Sequence, residues 1–263
     1  MKMTTAGLYT ATVLLVAGCA DSRGDQQEAD EEVGVVLDDF LTMNALTMNA
    51  LDPSTLAAVT APTETGALAR DLLKYVVSCA FDDTQSFDFT WIDEANVVHN
   101  ESYWGALGLD RKWSKHPLSV TGQEWVSACV LSRVNWYGVS VPLSVRGSLG
   151  GLKKETDSPE LAAYTREEGA FWGNIFASTP YAYSCNNGLN DSYSQSSLRD
   201  CAAGHLDAQN NLVDCGIIQR VGSCDTYCSH HNKNTTDYYW QCDTVAGGSG
   251  NNKKDPVVTV FLQ

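Results

Sequence analysis

The chain predicts an α+β fold, a single disulfide-stapled domain with two main amphipathic helices and a small, mostly antiparallel sheet. Three observations carry that expectation. Two stretches place apolar residues at helical spacing, at 66–80 and again after Thr121. Strand-like runs are scattered between and after them without the regular strand-helix alternation that a wound parallel sheet requires. Nine cysteines are present, and eight of them lie beyond residue 60.

The elements follow in chain order. Met1-Lys2 is a basic start, residues 6–17 (AGLYTATVLLVA) are apolar, and Gly18 and Cys19 follow. An apolar run of about twelve residues is short for a spanning helix, which needs roughly 20, and suits a signal peptide over 1–18. Val16-Ala17-Gly18-Cys19 resembles the lipobox of bacterial lipoproteins. The resemblance implies cleavage before Cys19 and lipidation of its thiol, hence a partner in the membrane itself. Acyl chains contribute about 0.8 kcal/mol per buried methylene, so two or three hold a protein durably. Ala20 stands where the inner-membrane retention signal of that family places aspartate, which implies the outer membrane of the cell envelope.

Residues 19–54 read as an acidic tether. Within 19–40 lie Asp21, Asp25, Glu28, Asp30, Glu31, Glu32, Asp38 and Asp39 against the single base Arg23. A five-residue duplication, LTMNA at 41–45 and 46–50, closes with Leu51; two copies are too few for a stacked solenoid. The whole chain carries a formal charge of −15, which repels phosphate backbones and excludes nucleic acid as a partner.

The cysteine-rich α+β domain is expected over 55–263. In the first helix Leu68, Leu72, Leu73, Val76 and Val77 share a face, with Arg70 and Lys74 opposite. In the second, Thr121 and Glu124 read as a capping box, and the pattern runs through Trp125, Val126, Cys129, Val130, Arg133 and Val134 to Tyr137-Gly138. Both helices carry a cysteine on the buried stripe in a similar Val-Ser setting, so Cys79 is expected to bond Cys129. Strand-like runs are 86–91, with Phe87, Phe89 and Trp91 on one face, then 139–145, 216–221 and 257–262. Pro142 confines its run to an edge or a bulge. Residues 246–254 read as a turn that returns the last strand to the sheet.

With Cys19 lipidated in an oxidising compartment, the remaining Cys79, Cys129, Cys185, Cys201, Cys215, Cys224, Cys228 and Cys242 read as four disulfides. Zinc is the competing reading for Cys224, Cys228, His230, His231, Cys242 and His205, but oxidised thiols do not ligate metal, so no metal and no cofactor is expected. Acidic loops at 186–191 and 207–214 have calcium-like oxygens without the order of an EF-hand, and turn chemistry accounts for them.

Glu167 and Glu168, beside Trp172, and Asp93-Glu94, after Trp91, are candidate carboxylates for a hydrolase. The plainer reading of the Glu167-Glu168 pair is a solvated helix start or turn. No Gly-x-Ser-x-Gly, His-Glu-x-x-His or phosphate loop occurs, and His99, His116 and His205 remain as bases for a triad assembled at a distance. The aromatics Tyr181, Tyr183, Tyr238, Tyr239 and Trp240 are the candidate binding residues, since exposed rings stack on sugars or anchor protein partners.

The segments WVSACVLSRVNWYGVSVPLSVRG, EEGAFWGNIF and CGIIQRVGSCDTYC make the body similar to cysteine-rich bacterial envelope proteins to which no activity is attached. That resemblance transfers no functional residue. Binding, adhesion or scaffolding at the envelope, toward a glycan or protein ligand, is the expected function; a secreted hydrolase of polysaccharide or peptide is the alternative.

Overall fold

A computed structural model of the chain describes residues 53–133, 141–188, 205–207, 209, 211–214, 216–231, 238–243 and 254–263. The leader, Cys19, nearly all of the tether, Cys201, Cys215 and all but the last residue of the expected turn at 246–254 lie outside those residues. Both helices and small antiparallel sheets are present, so the fold is α+β.

Helix α1 (Pro53–Thr60) leads into α2 (Glu64–Ala80). Thr63 caps α2: its backbone is extended and its hydroxyl accepts from Gly66 N at 3.2 Å. Ala69, Leu73, Val76, Val77 and Ala80 are buried at helical spacing. Arg70 departs from the expected polar face. It is buried because its guanidinium donates to the carbonyls of Val59 (3.1 Å) and Ala61 (2.8 Å) and lies 3.7 Å from the Trp91 ring centroid. The carbonyls at the end of α1, which have no partner within their own helix, are thereby satisfied.

The hairpin of β1 (Ser86–Ile92) and β2 (Val98–Trp104) packs Phe87, Phe89 and Tyr103 inward. Trp91 is half-buried between Arg70 and the ring of His99, stacked at 4.3 Å.

Helix α3 (Val120–Arg133) begins earlier than the Thr121 capping box implies. Ser119 takes that role, its hydroxyl accepting from Gly122 N at 3.0 Å, while Glu124 lies buried inside the helix. Gly122 and residues 124–132 are all buried. The cause is position: α3 touches α2 on one side and the main sheet on the other, so no face is left for solvent. Cys79 of α2 and Cys129 of α3 are bonded across that contact, with Cα atoms 6.0 Å apart.

The main sheet runs β3 (Ser144–Arg146), β12 (Val258–Leu262), β4 (Arg166–Asn174), β5 (Tyr181–Cys185), β8 (Ile218–Arg220). All its pairs are antiparallel except β5 with β8. The carboxy-terminal strand therefore lies inside the sheet. Of the expected 139–145 run, residues 139 and 140 lie outside the described residues, and among the rest Ser144 and Val145 pair as a strand, in β3 at the sheet edge just after Pro142.

Glu167 and Glu168 lie on β4, which corrects the reading of a solvated helix start or turn. Residues 168–174 of β4 are continuously buried because both faces of the strand are covered. Phe171 faces the larger core with α2 and α3, whereas Ala170 and Trp172 face a second core with Tyr183, Tyr239 and Val257. At Gly173, φ is +143° and a Cβ would meet the Tyr181 carbonyl oxygen at 2.3 Å, so only glycine fits the β4–β5 pair there.

The second core is closed by β9 (Cys228–His230), β10 (Tyr239–Asp243) and β11 (Lys254–Pro256), with β10 central, and by the short helix α5 (Cys224–Tyr227). Between β5 and β8, β6 (His205–Leu206) and β7 (Leu212–Val213) form a small hairpin, and α4 (Pro159–Ala163) precedes β4. Disulfides Cys185–Cys224 and Cys228–Cys242 staple the second core, and the Cys185 and Cys228 sulfurs are 3.8 Å apart. Among the described residues no helix is long and apolar enough to cross a membrane.

Candidate functional site

Residues 238–240 run into and along β10, where successive side chains alternate between faces. Tyr239 turns inward and is fully buried, and Trp240 turns outward, 47% exposed. Tyr238 shares the outer side. The chain after β9 meets it there: His231 N donates to the Tyr238 carbonyl at 3.1 Å, and the His231 ring stacks on Tyr238 (4.7 Å, 19°) and on Trp240 (5.1 Å, 14°). Three nearly parallel rings result. Beside them opens a cavity of about 350 Å³ whose lining includes Arg146, Lys153, Lys154, Glu155, His231 and Tyr238.

The expected binding residues thus divide. Tyr238 and Trp240 belong to this face. Tyr239 and Tyr183 are buried in the second core, which corrects their assignment to an exposed surface. Tyr181 is half-buried, its ring 5.8 Å from that of Tyr183, which in turn lies 5.7 Å from Trp172.

Tyr239 organises a polar node beneath the rings. Its hydroxyl lies 3.1 Å from Glu167 Oε1 and 3.3 Å from Asp225 Oδ1, and accepts from Asn187 Nδ2 at 2.8 Å. His230 Nε2 lies 3.1 Å from the same Asp225 oxygen, and the His230 ring is 4.4 Å from Tyr239. A single phenolic proton can serve only one carboxylate at a time. Burial, and next the Glu167 charge, push the Tyr239 hydroxyl well above its ordinary value, so it stays protonated. Burial likewise raises the Glu167 carboxyl, partly offset by the Tyr239 hydrogen bond.

The raised Glu167 value has a stability consequence with a definite sign. The native state holds this proton more tightly than the unfolded chain. The stability it contributes is therefore complete below the ordinary carboxyl value of 4.5 and is lost as pH rises through the raised native value. Glu167→Gln imitates the protonated carboxyl. It is expected to flatten this part of the stability profile, with its urea midpoint relative to wild type higher at pH 7 than at pH 4. The opposite ordering would show that the node prefers a carboxylate.

Glu168 does not join Glu167, because neighbours on a strand point to opposite faces; it is 1% exposed. Asp93 shapes the β1–β2 turn, accepting from Ala95 N (2.9 Å) and Val97 N (2.8 Å) and pairing with His99 at 2.9 Å. The hydrogen bond from His99, chiefly, holds its carboxyl below the ordinary range. Asp207 shapes a turn in the same way, accepting from Gln209 N and Asn211 N at 2.8 Å each. With Cys224 and Cys228 in separate disulfides, the zinc reading loses its thiolates, and among the described residues no three or more His, Cys, Asp or Glu side chains gather in a metal-holding group.

Sequence reasoning singled out neither Arg146 nor Lys153 nor the pairing of Asp225 with Glu167. Arg146 reaches the cavity through the edge strand β3, and no local pattern marks it. In the sequence His231 stands out only beside the cysteines, as a solvated histidine or a zinc ligand, whereas its neighbours are the rings of Tyr238 and Trp240.

Fold and site together define a disulfide-braced α+β domain bearing an aromatic face over a small cationic cavity. No protein-family model, no curated protein and no solved structure matches the chain.

Proposed function

We propose that the protein is a lipid-anchored binding protein of the cell envelope, held through Cys19 at the outer membrane, which engages a glycan or protein ligand through Tyr238, His231 and Trp240. The observation that carries this reading is the ring stack beside a cavity. Flat rings supported from behind lose little freedom on contact, which favours binding. The disulfides fit an oxidising compartment and so support the extracytoplasmic address.

One observation favours the hydrolase alternative: Glu167 and Asp225 approach each other at Tyr239. A hydrolase needs open space between such carboxylates for a scissile bond. Here the buried Tyr239 hydroxyl occupies it, so the node reads as a brace.

The test is a screen of the immobilised full chain against envelope glycans and envelope proteins, beside a panel of hydrolase substrates. Binding is expected, weakened about tenfold or more by Trp240→Ala, a loss of about 1.4 kcal/mol. Turnover abolished by Glu167→Gln, with binding insensitive to Trp240→Ala, would replace this reading with the enzyme.

A further inference from the structure

The cavity beside the ring stack is cationic on an acidic protein. Its lining brings together Arg146, Lys153 and Lys154 with the single acid Glu155, while the chain as a whole carries 32 acidic residues against 17 basic ones. The positive lining is therefore local and runs against the overall charge.

The three cations differ in how they are held. Arg146 is 5% exposed and built in: it donates from Nε to Ser144 Oγ at 3.0 Å and from Nη2 to the Tyr164 carbonyl, with its guanidinium 3.8 Å from the Phe261 ring centroid. Lys154 is matched by Glu160 at 3.0 Å. Lys153 is exposed and forms no ion pair with a described residue. A fixed guanidinium and an ammonium without an ion-pair partner among the described residues thus share the lining of one cavity with His231 and Tyr238.

A second basic concavity, whose lining includes Arg111, Lys112, Lys115 and His116, differs in kind. All four are exposed, and Arg111 is engaged by Asp82 at 2.5 Å, so no buried cation is fixed there.

We infer that the cavity of Arg146, Lys153, His231 and Tyr238 binds an acidic saccharide, a sugar ring stacking on the aromatic face while its carboxylate or phosphate meets Lys153 in the field of Arg146. The inference rests on the binding reading above and narrows it to a ligand chemistry. At about 350 Å³ the space is at the low end of small-ligand sites, roughly 300–1,000 Å³, which suits a short saccharide. Charge-assisted contacts to an anion are the strong kind, about twice a neutral hydrogen bond.

The test is calorimetric titration of the full chain with digalacturonate, its neutral counterpart galactobiose, and galactose 6-phosphate, the last two arms separating ring from charge and phosphate from carboxylate. At least one acidic probe is expected to bind about tenfold or more tighter than galactobiose, a preference reduced about tenfold by Lys153→Ala. Lys153 is exposed, so this variant folds as wild type does, and circular dichroism checks it. Trp240→Ala is expected to weaken acidic and neutral probes alike. Equal binding of galactobiose and the acids, still lost in Trp240→Ala, overturns the acidic preference and leaves the binding reading standing. Binding of an envelope protein that depends on Trp240, with no saccharide bound, overturns the saccharide. If no probe and no envelope ligand binds and Trp240→Ala changes nothing, both readings fall.

Discussion

Replacing Cys79 and Cys129 together by alanine is expected to lower folding stability by about 4 kcal/mol, read from urea unfolding of the oxidised chain. The bond closes a loop of 50 residues between α2 and α3. In the chain-entropy account, a cross-link of that span constrains the unfolded ensemble by about 4 kcal/mol, with native-state strain subtracting from it. Both sulfurs are fully buried, so the alanine pair also leaves a small void where two helices meet. Replacing the Cys228–Cys242 pair, which closes only 14 residues, is expected to cost less through this route. A loss below about 1 kcal/mol for the first pair would mean that the helix contact holds the unfolded chain together without the bond.

That helix pair shows what periodicity can disclose. α2 presents one face to the core, and its apolar residues announced it correctly, apart from Arg70. Nothing local reveals that a basic residue on the polar face will cap a neighbouring helix and support Trp91. The apolar positions of α3 mark the helix, but burial on every side removes the contrast that sharpens a helix boundary, and the Thr121 pattern places the start later than the Ser119 hydroxyl does.

The strands divide along the same line. β1 alternates, Phe87 and Phe89 in and Asp88 and Thr90 out, and was legible. β4 has a core on both faces and so has no alternation, and the charged pair Glu167-Glu168 then resembled a turn. For the site, the doublet Tyr238-Tyr239 followed by Trp240 contains the in-and-out pattern once it is known to lie along a strand. What sequence does not contain is the juxtaposition of elements far apart in the chain: β3 delivers Arg146, the short helical turn at Gly150–Leu152 leads into Lys153, and the end of β9 delivers His231.

Trp172→Ala is the second large effect, an expected loss of about 3–5 kcal/mol, the usual range for truncating a buried aromatic to alanine. Trp172 is fully buried and stands at the centre of the second core. Its indole Nε1 donates to the Asp243 carbonyl at 3.1 Å, tying β4 to the end of β10. Removing it leaves a cavity beneath Tyr183 and loosens the strand that carries Trp240. The damage should be uneven. The larger core around α2 and α3 receives Phe171, from the opposite face of β4, and keeps its own disulfide. Amide hydrogen exchange is therefore expected to quicken most at Tyr239, Cys242 and Tyr183, and least at Leu73 and Val126. Ligand binding through the ring stack should weaken even where the chain remains folded, because the β9–β10 pairing aligns His231 with Tyr238. Equal acceleration of exchange at Leu73 and Tyr239 would show that the two cores open as one unit, with the sheet transmitting the loss from one face to the other.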